Sequence, residues 1–140
     1  SQFKISTLLH VSRSTYTVWE NEINPIPLKR LIDFCNIFEI SLDYALDLTD
    51  QKNYPNTKKE LNQKLCGERL KEVRKEYKYT QDKLAKKLNT DNGVISRYEH
   101  GETLILTDFL KEYASIFHIS ADYLVGRIDE KIKLKEHTAV

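Results

Sequence analysis

Displaced by 79 residues, the sequence lies on itself without a gap. Gln2, Lys4, Leu9, Glu20, Leu31, Phe38, Ile40, Ser41, Asp43 and Tyr44 fall on Gln81, Lys83, Leu88, Glu99, Leu110, Phe117, Ile119, Ser120, Asp122 and Tyr123. Apolar positions between them pair as well: Ile5 with Leu84, Tyr16 with Ile95, Trp19 with Tyr98, Ile37 with Ile116. A register this long, with matching core positions, predicts two copies of one domain. Each copy would span about 60 residues, a size that can close a core alone with little to spare.

The apolar spacing within each copy is helical, and no strand pattern appears. Thr80 to Gly101 carries it most clearly. Leu84, Ala85 and Leu88 share one face of a short helix. Residues 89–93 are turn formers, Val94, Ile95 and Tyr98 resume helical spacing, and Gly101 offers a left-handed stop. This predicts a helix, a tight turn and a second helix whose outer face is polar. In the first copy, helices are expected over 1–9, 13–20, 28–38 and 42–48. Thr57 and Glu60 form a capping-box pattern that predicts helix from about Lys58, with Gly67 as an interruption. Residues 129–140 alternate in charge and suit a helical extension, a dimer contact or a frayed end. The second copy has a helix ahead of Thr80. The first has no counterpart, and the chain holds no methionine, so a leading helix is expected to precede Ser1.

Charge narrows the partners. The net charge is only +1. Residues 51–79 hold nine basic and four acidic residues, whereas residues 1–50 hold four basic and seven acidic. The positive charge therefore lies ahead of the second motif, where it could meet phosphate; a solvated basic helix has the same composition. The two cysteines, Cys35 and Cys66, lack metal or redox spacing and suit a reducing, cytoplasmic setting. Cys35 falls on an apolar face, and Cys66 is expected to be the exposed thiol. The four histidines are scattered without ligand spacing, so no metal is expected. No phosphate-cradling glycine loop or nucleophile elbow occurs, so no cofactor and no enzymatic activity are expected. No apolar run is long enough to span a bilayer.

Arg69-Leu70-Lys71-Glu72-Val73-Arg74, then Thr80-Gln81, Leu84-Ala85, Leu88, Ile95-Ser96-Arg97-Tyr98-Glu99 and Gly101, close on residues 119–126, Ile-Ser-Ala-Asp-Tyr-Leu-Val-Gly. This series resembles the Cro/phage-repressor helix-turn-helix domains, the XRE family. Val11-Ser12-Arg13-Ser14-Thr15, Trp19-Glu20-Asn21, Leu28 and Ile40-Ser41-Leu42-Asp43-Tyr44 resemble it again. The resemblance implies an all-α chain of two tandem lambda-repressor-like five-helix bundles, the first lacking its leading helix. The domains would be 1–50 (N-terminally truncated) and 67–128, with a linker at 51–66 and a tail at 129–140.

The resemblance further implies a bacterial, phage or mobile-element transcriptional regulator, most simply a repressor that blocks an operator. Its recognition helices would be 13–20 and 92–99, lying in the major groove. The family's DNA-contacting places fall on Gln2, Ser12, Arg13, Ser14, Thr17 and Val18, and on Gln81, Asn92, Gly93, Ser96 and Arg97. Arginine reads guanine through two donors and asparagine reads adenine through its amide; the glutamines would meet phosphate. A structural pair, Arg74 with Glu99, would orient the second recognition helix. The implied partners are double-stranded DNA, a second copy of the chain and a protein antagonist. Three departures weaken the DNA reading: the loops at 22–25 and 102–105 lack basic residues, Asp91 caps the second recognition helix, and the first copy is acidic. The competing expectation is a protein–protein interaction or dimerisation module, with the acidic first copy not binding DNA.

Overall fold

Among the described residues, Leu28 opens the first helix directly after Pro27, whose fixed φ and missing N–H suit a helix entrance. The structure, a computed structural model, describes residues 26–135. The expected helices at 1–9 and 13–20 and the candidate residues Gln2, Ser12, Arg13, Ser14, Thr17 and Val18 lie outside those residues. Seven α-helices are present among the described residues. They are α1 (Leu28–Ile37), α2 (Leu42–Ala45), α3 (Gln63–Glu76), α4 (Gln81–Lys87), α5 (Asn92–Glu99), α6 (Thr107–Phe117) and α7 (Ala121–Leu124).

The 79-residue displacement is written into the backbone. α1 and α6 start 79 residues apart, and α2 and α7 correspond at both ends. Glu39 and His118 are both left-handed, at φ 54° and 53°. Asp47 and Gly126 repeat this at 61° and 86°. Ser41 and Ser120 each cap the following short helix by accepting the N–H of Tyr44 and Tyr123. The same residue types at the same local spacing make the same turn twice.

α3 to α7 close a bundle. Leu70 and Val73 of α3 meet Leu84, Ala85 and Leu88 around α4, Ile95 of α5, and Leu110, Tyr113 and Phe117 of α6, all buried. Phe117 is ringed by Tyr77, Tyr79 and Tyr113 with centroids 5.1, 5.0 and 4.9 Å away. Such tilted pairs add to plain burial because ring edges meet ring faces. The Tyr113 hydroxyl donates to the Leu70 carbonyl, so the ring enters the core with its polar tip satisfied.

Several local expectations are corrected. α3 begins at Gln63, not near Lys58, because Asn62 takes the capping role and accepts the Leu65 N–H at 3.0 Å. Thr57 instead donates to the Tyr54 carbonyl at 2.8 Å. Gly67 does not interrupt α3; it lies inside it. Cys66 is 2% exposed, and burial pushes its thiol up to about 12, so it is no accessible nucleophile. Residues 131–135 are extended beside 118–120: the Ser120 N–H donates to Ile132 at 3.0 Å and the Leu134 N–H to His118 at 2.7 Å. Lys131 pairs there with Glu72 and Glu76 of α3.

The segment between α2 and α3 is packed rather than loose. Tyr54 is buried, and its hydroxyl donates to Asp43 at 2.8 Å. The Lys58 N–H donates to the Arg127 carbonyl at 2.7 Å. Asn36 of α1 donates to the Lys59 carbonyl and accepts from Arg127, at 2.7 and 2.8 Å.

Candidate nucleic-acid interface

α4 and α5 are started by side-chain caps and joined by a tight turn. Thr80 accepts the Lys83 N–H at 3.0 Å and Asp91 accepts the Val94 N–H at 3.0 Å. Asn89 turns the chain at φ 58°, a left-handed conformation that asparagine tolerates better than most residues. The Thr90 N–H returns to the Ala85 carbonyl at 2.8 Å and closes the turn. Leu84, Ala85, Leu88, Ile95 and Tyr98 face inward. Gly101, at φ 71°, ends the motif.

The depth of α5 is set by Gly67. A Cβ at that position would lie 2.6 Å from the carbonyl oxygens of both Tyr98 and Glu99. α3 therefore crosses the end of α5 backbone to backbone, a contact only glycine permits.

Its orientation is held by a buried ion pair. Arg74 Nε lies 2.5 Å from Glu99 Oε2, and Nη2 lies 3.0 Å from Oε1. The side chains are 8% and 2% exposed. Arg74 Nη1 also donates to the Tyr79 carbonyl at 2.7 Å, and Gln81 Nε2 donates to Glu99 Oε1 at 3.1 Å. Glu99 thus receives three donors, and hydrogen bonding to it holds the Arg74 guanidinium in its charged form, above its ordinary pKa. Two-donor pairing of this kind adds geometric definition to charge. Gln81, read from the sequence as a phosphate contact, spends its side-chain amide on this network.

The outward face of α5 carries the other sequence-derived candidates. Asn92 and Arg97 are exposed; Gly93 and Ser96 are half-buried. Asn92 Nδ2 donates to Asp82 of α4 at 2.7 Å. Arg97 Nη1 lies 3.3 Å from where a Gly93 Cβ would stand, so the guanidinium lies over that gap. Ser96 is close to His100, with Oγ 3.3 Å from Nδ1. Lys83, Lys86 and Lys87 of α4 are exposed; Lys83 Nζ sits 4.2 Å from the Tyr79 ring centroid. Asp82 and Asp91 bring negative charge to the same end, each already engaged by a donor.

Two arginines that sequence reasoning left aside prove structural. Arg69 donates to the Tyr123 and Ile128 carbonyls at 2.5 and 2.8 Å and lies over the Tyr123 ring. Arg127 is 1% exposed and pairs with Asp122 at 2.9 Å. Of the positive charge counted over residues 51–79, Arg69 and Arg74 are therefore committed inside the fold. Among the described residues, no cluster of histidine, cysteine or carboxylate side chains could hold a metal ion. No helix among them is long and apolar enough to cross a membrane.

A short capped helix, a left-handed asparagine turn and a second helix with a polar outer face, packed on flanking helices, define a helix-turn-helix domain. Residues 67–130 match the family model described as a helix-turn-helix domain. The chain is also similar to the HTH-type transcriptional regulator ImmR of Bacillus subtilis (strain 168), with 41% identity over 70 residues. That match takes in 50% of this chain and 54% of the relative, so the chain spans about half the length of the curated protein it matches. No solved structure matches the chain.

Proposed function

We propose that the protein is a sequence-specific DNA-binding transcriptional regulator, acting as a repressor by occupying its operator. The observation that carries this is α5: a helix fixed by a buried ion pair and a glycine contact, with Asn92 and Arg97 exposed on its outer face. The likeness to a regulator of transcription supports it. α5 enters the major groove, where Arg97 reads guanine and Asn92, released from Asp82, reads adenine. Ser96 gives a further polar contact, and Gly93 lets the backbone come close. The N-terminus of α4 and the exposed lysines of that helix face phosphate.

The tandem organisation belongs to the same proposal. Domains over 1–50 and 67–128 present recognition helices at 13–20 and 92–99, and Gln2, Ser12, Arg13, Ser14, Thr17 and Val18 serve the first copy. The register of α1 with α6 and of α2 with α7 supports this. Selection of DNA from a random pool tests it, using the full chain and its Arg97→Ala and Arg13→Ala variants. Each substitution is expected to relax selection at its own positions and to weaken binding by about 1–3 kcal/mol. Unchanged sites and affinities in both variants would refute the assignment.

A second reading is favoured by one observation, the acidic balance of residues 1–50. In it the first copy is an interaction module for a protein partner and only α5 touches DNA. The same selection separates the two, since Arg13→Ala is then without effect while Arg97→Ala is not.

A further inference from the structure

The Asp122 carboxylate accepts the Leu42 N–H at 2.9 Å and the Asp43 N–H at 2.8 Å. The Asp43 carboxylate accepts the Ala121 N–H at 2.5 Å and the Ser120 hydroxyl. Residues 42 and 121 correspond under the 79-residue displacement, as do 43 and 122. The contact of 42 with 122 is therefore repeated, with the copies exchanged, as the contact of 121 with 43.

That exchange identifies the operation relating the copies. In a head-to-tail arrangement, a surface of the first copy meets a different surface of the second, and the contact does not recur with the roles reversed. Only a two-fold axis makes residue i touch j while the counterpart of j touches the counterpart of i. The axis passes between the starts of α2 and α7. Ser41, Leu42, Asp43, Ser120, Ala121 and Asp122 are each at most 1% exposed, so this face is filled within one chain. Tyr54 and Arg127 seal it, each with a side-chain bond to one of the two aspartates.

Resting on the DNA-binding reading above, we infer that a single chain is a pseudo-dimer whose ligand is a duplex with inverted half-sites, bound one chain per duplex. α5 is carried rigidly by the second copy, and the two-fold rotation that relates α2 to α7 reverses the direction in which the other copy reads. The half-sites then run in opposite senses, as for a symmetric pair of subunits. No second chain is needed, because the two-fold face is already occupied.

The test combines selection from a random duplex pool with native mass spectrometry of the full chain on the enriched site. The expected result is an inverted repeat, its half-site centres one helical turn or a multiple apart, in a complex of one chain and one duplex. Reversing one half-site to make a direct repeat is expected to weaken binding roughly 100-fold, because only one copy can then engage. A direct repeat emerging from the pool overturns the inference and leaves the DNA-binding reading standing. Two chains on one inverted repeat also overturn it. A pool with no enriched sequence removes the DNA-binding reading and this inference together.

Discussion

Asp43 and Asp122 cap each other's helices. Each sits in the first turn of a four-residue helix, and each turns its carboxylate across to the backbone of the other. A helix this short leaves most of its N–H groups without internal partners, and a buried carboxylate satisfies them well. The two ends differ in their support. Asp122 has the Arg127 guanidinium at 2.9 Å, whereas Asp43 has only neutral donors, from Tyr54, Ser120 and the Ala121 backbone.

That difference orders two substitutions. Asp122→Ala strands the buried Arg127 charge and leaves the Leu42 and Asp43 N–H groups without their acceptor, an effect of about 3–5 kcal/mol. Asp43→Ala removes hydrogen bonds without stranding a cation, for about 1–3 kcal/mol. Chemical denaturation of both variants should place Asp122→Ala clearly below Asp43→Ala. The reverse order would mean that Arg127 finds other compensation.

Stability should depend on pH through Asp43. Burial, followed by the Asp122 charge, raises its carboxyl from 3.8 to about 7, against the pull of its three donors. Across that window the folded chain keeps a proton that the unfolded chain has lost. The contribution is full below pH 3.8, declines as pH rises to about 7, and changes no further above it. Urea midpoints measured across the window should fall more steeply for the native chain than for Asp43→Asn. Parallel profiles would assign the dependence to other groups.

Arg74→Ala leaves the Glu99 carboxylate buried beside Gln81 alone. A loss of about 3–5 kcal/mol is expected, with a lower thermal midpoint. Arg74→Lys restores charge but cannot reach both Glu99 oxygens, the Tyr79 carbonyl and the buried geometry together, so it should recover only part of the loss. DNA affinity should fall with stability in both variants. Undiminished stability in Arg74→Ala would show that α5 is oriented by packing alone.

Gly67→Ala tests the backbone crossing. Alanine favours helix over glycine by about 1 kcal/mol. Here its Cβ meets two backbone carbonyls at 2.6 Å, and neither can rotate away. Overpacking of this kind costs about 1–3 kcal/mol, so the helix preference is cancelled or exceeded. The same substitution should shift amide resonances over 98–101 more than those of α6. A stabilised variant with unshifted resonances would show that α3 and α5 separate freely.

Features carried by short-range signals were legible in advance. The helix over 92–99, the turn before it and the stop at Gly101 follow from spacing, a capping aspartate and glycine, all within a few residues of the bonds they make. The 79-residue displacement anticipated matching helices and turns because local sequence sets local backbone. Sequence signals failed where capping was contested: Asn62 outcompeted Thr57, since a helix from Gln63 buries Cys66, Leu70 and Val73 together. Cys66 was misjudged because its exposure depends on how α3 sits in the bundle, not on its neighbours in sequence.

What the chain alone determined is therefore the helical repertoire, the repeat and the polar face of α5, all consequences of periodicity and caps acting over a few residues. The tertiary structure decided which charges face outward and how the corresponding helices meet. Arg69 and Arg127 are interior supports, Gly67 is a backbone contact, and Asp43 and Asp122 exchange caps across 79 residues. No local pattern specifies a bond at that separation. It exists because two short helices, each with N–H groups left over beyond the one its serine caps, were buried against each other, and each carried a carboxylate that accepts them from the other.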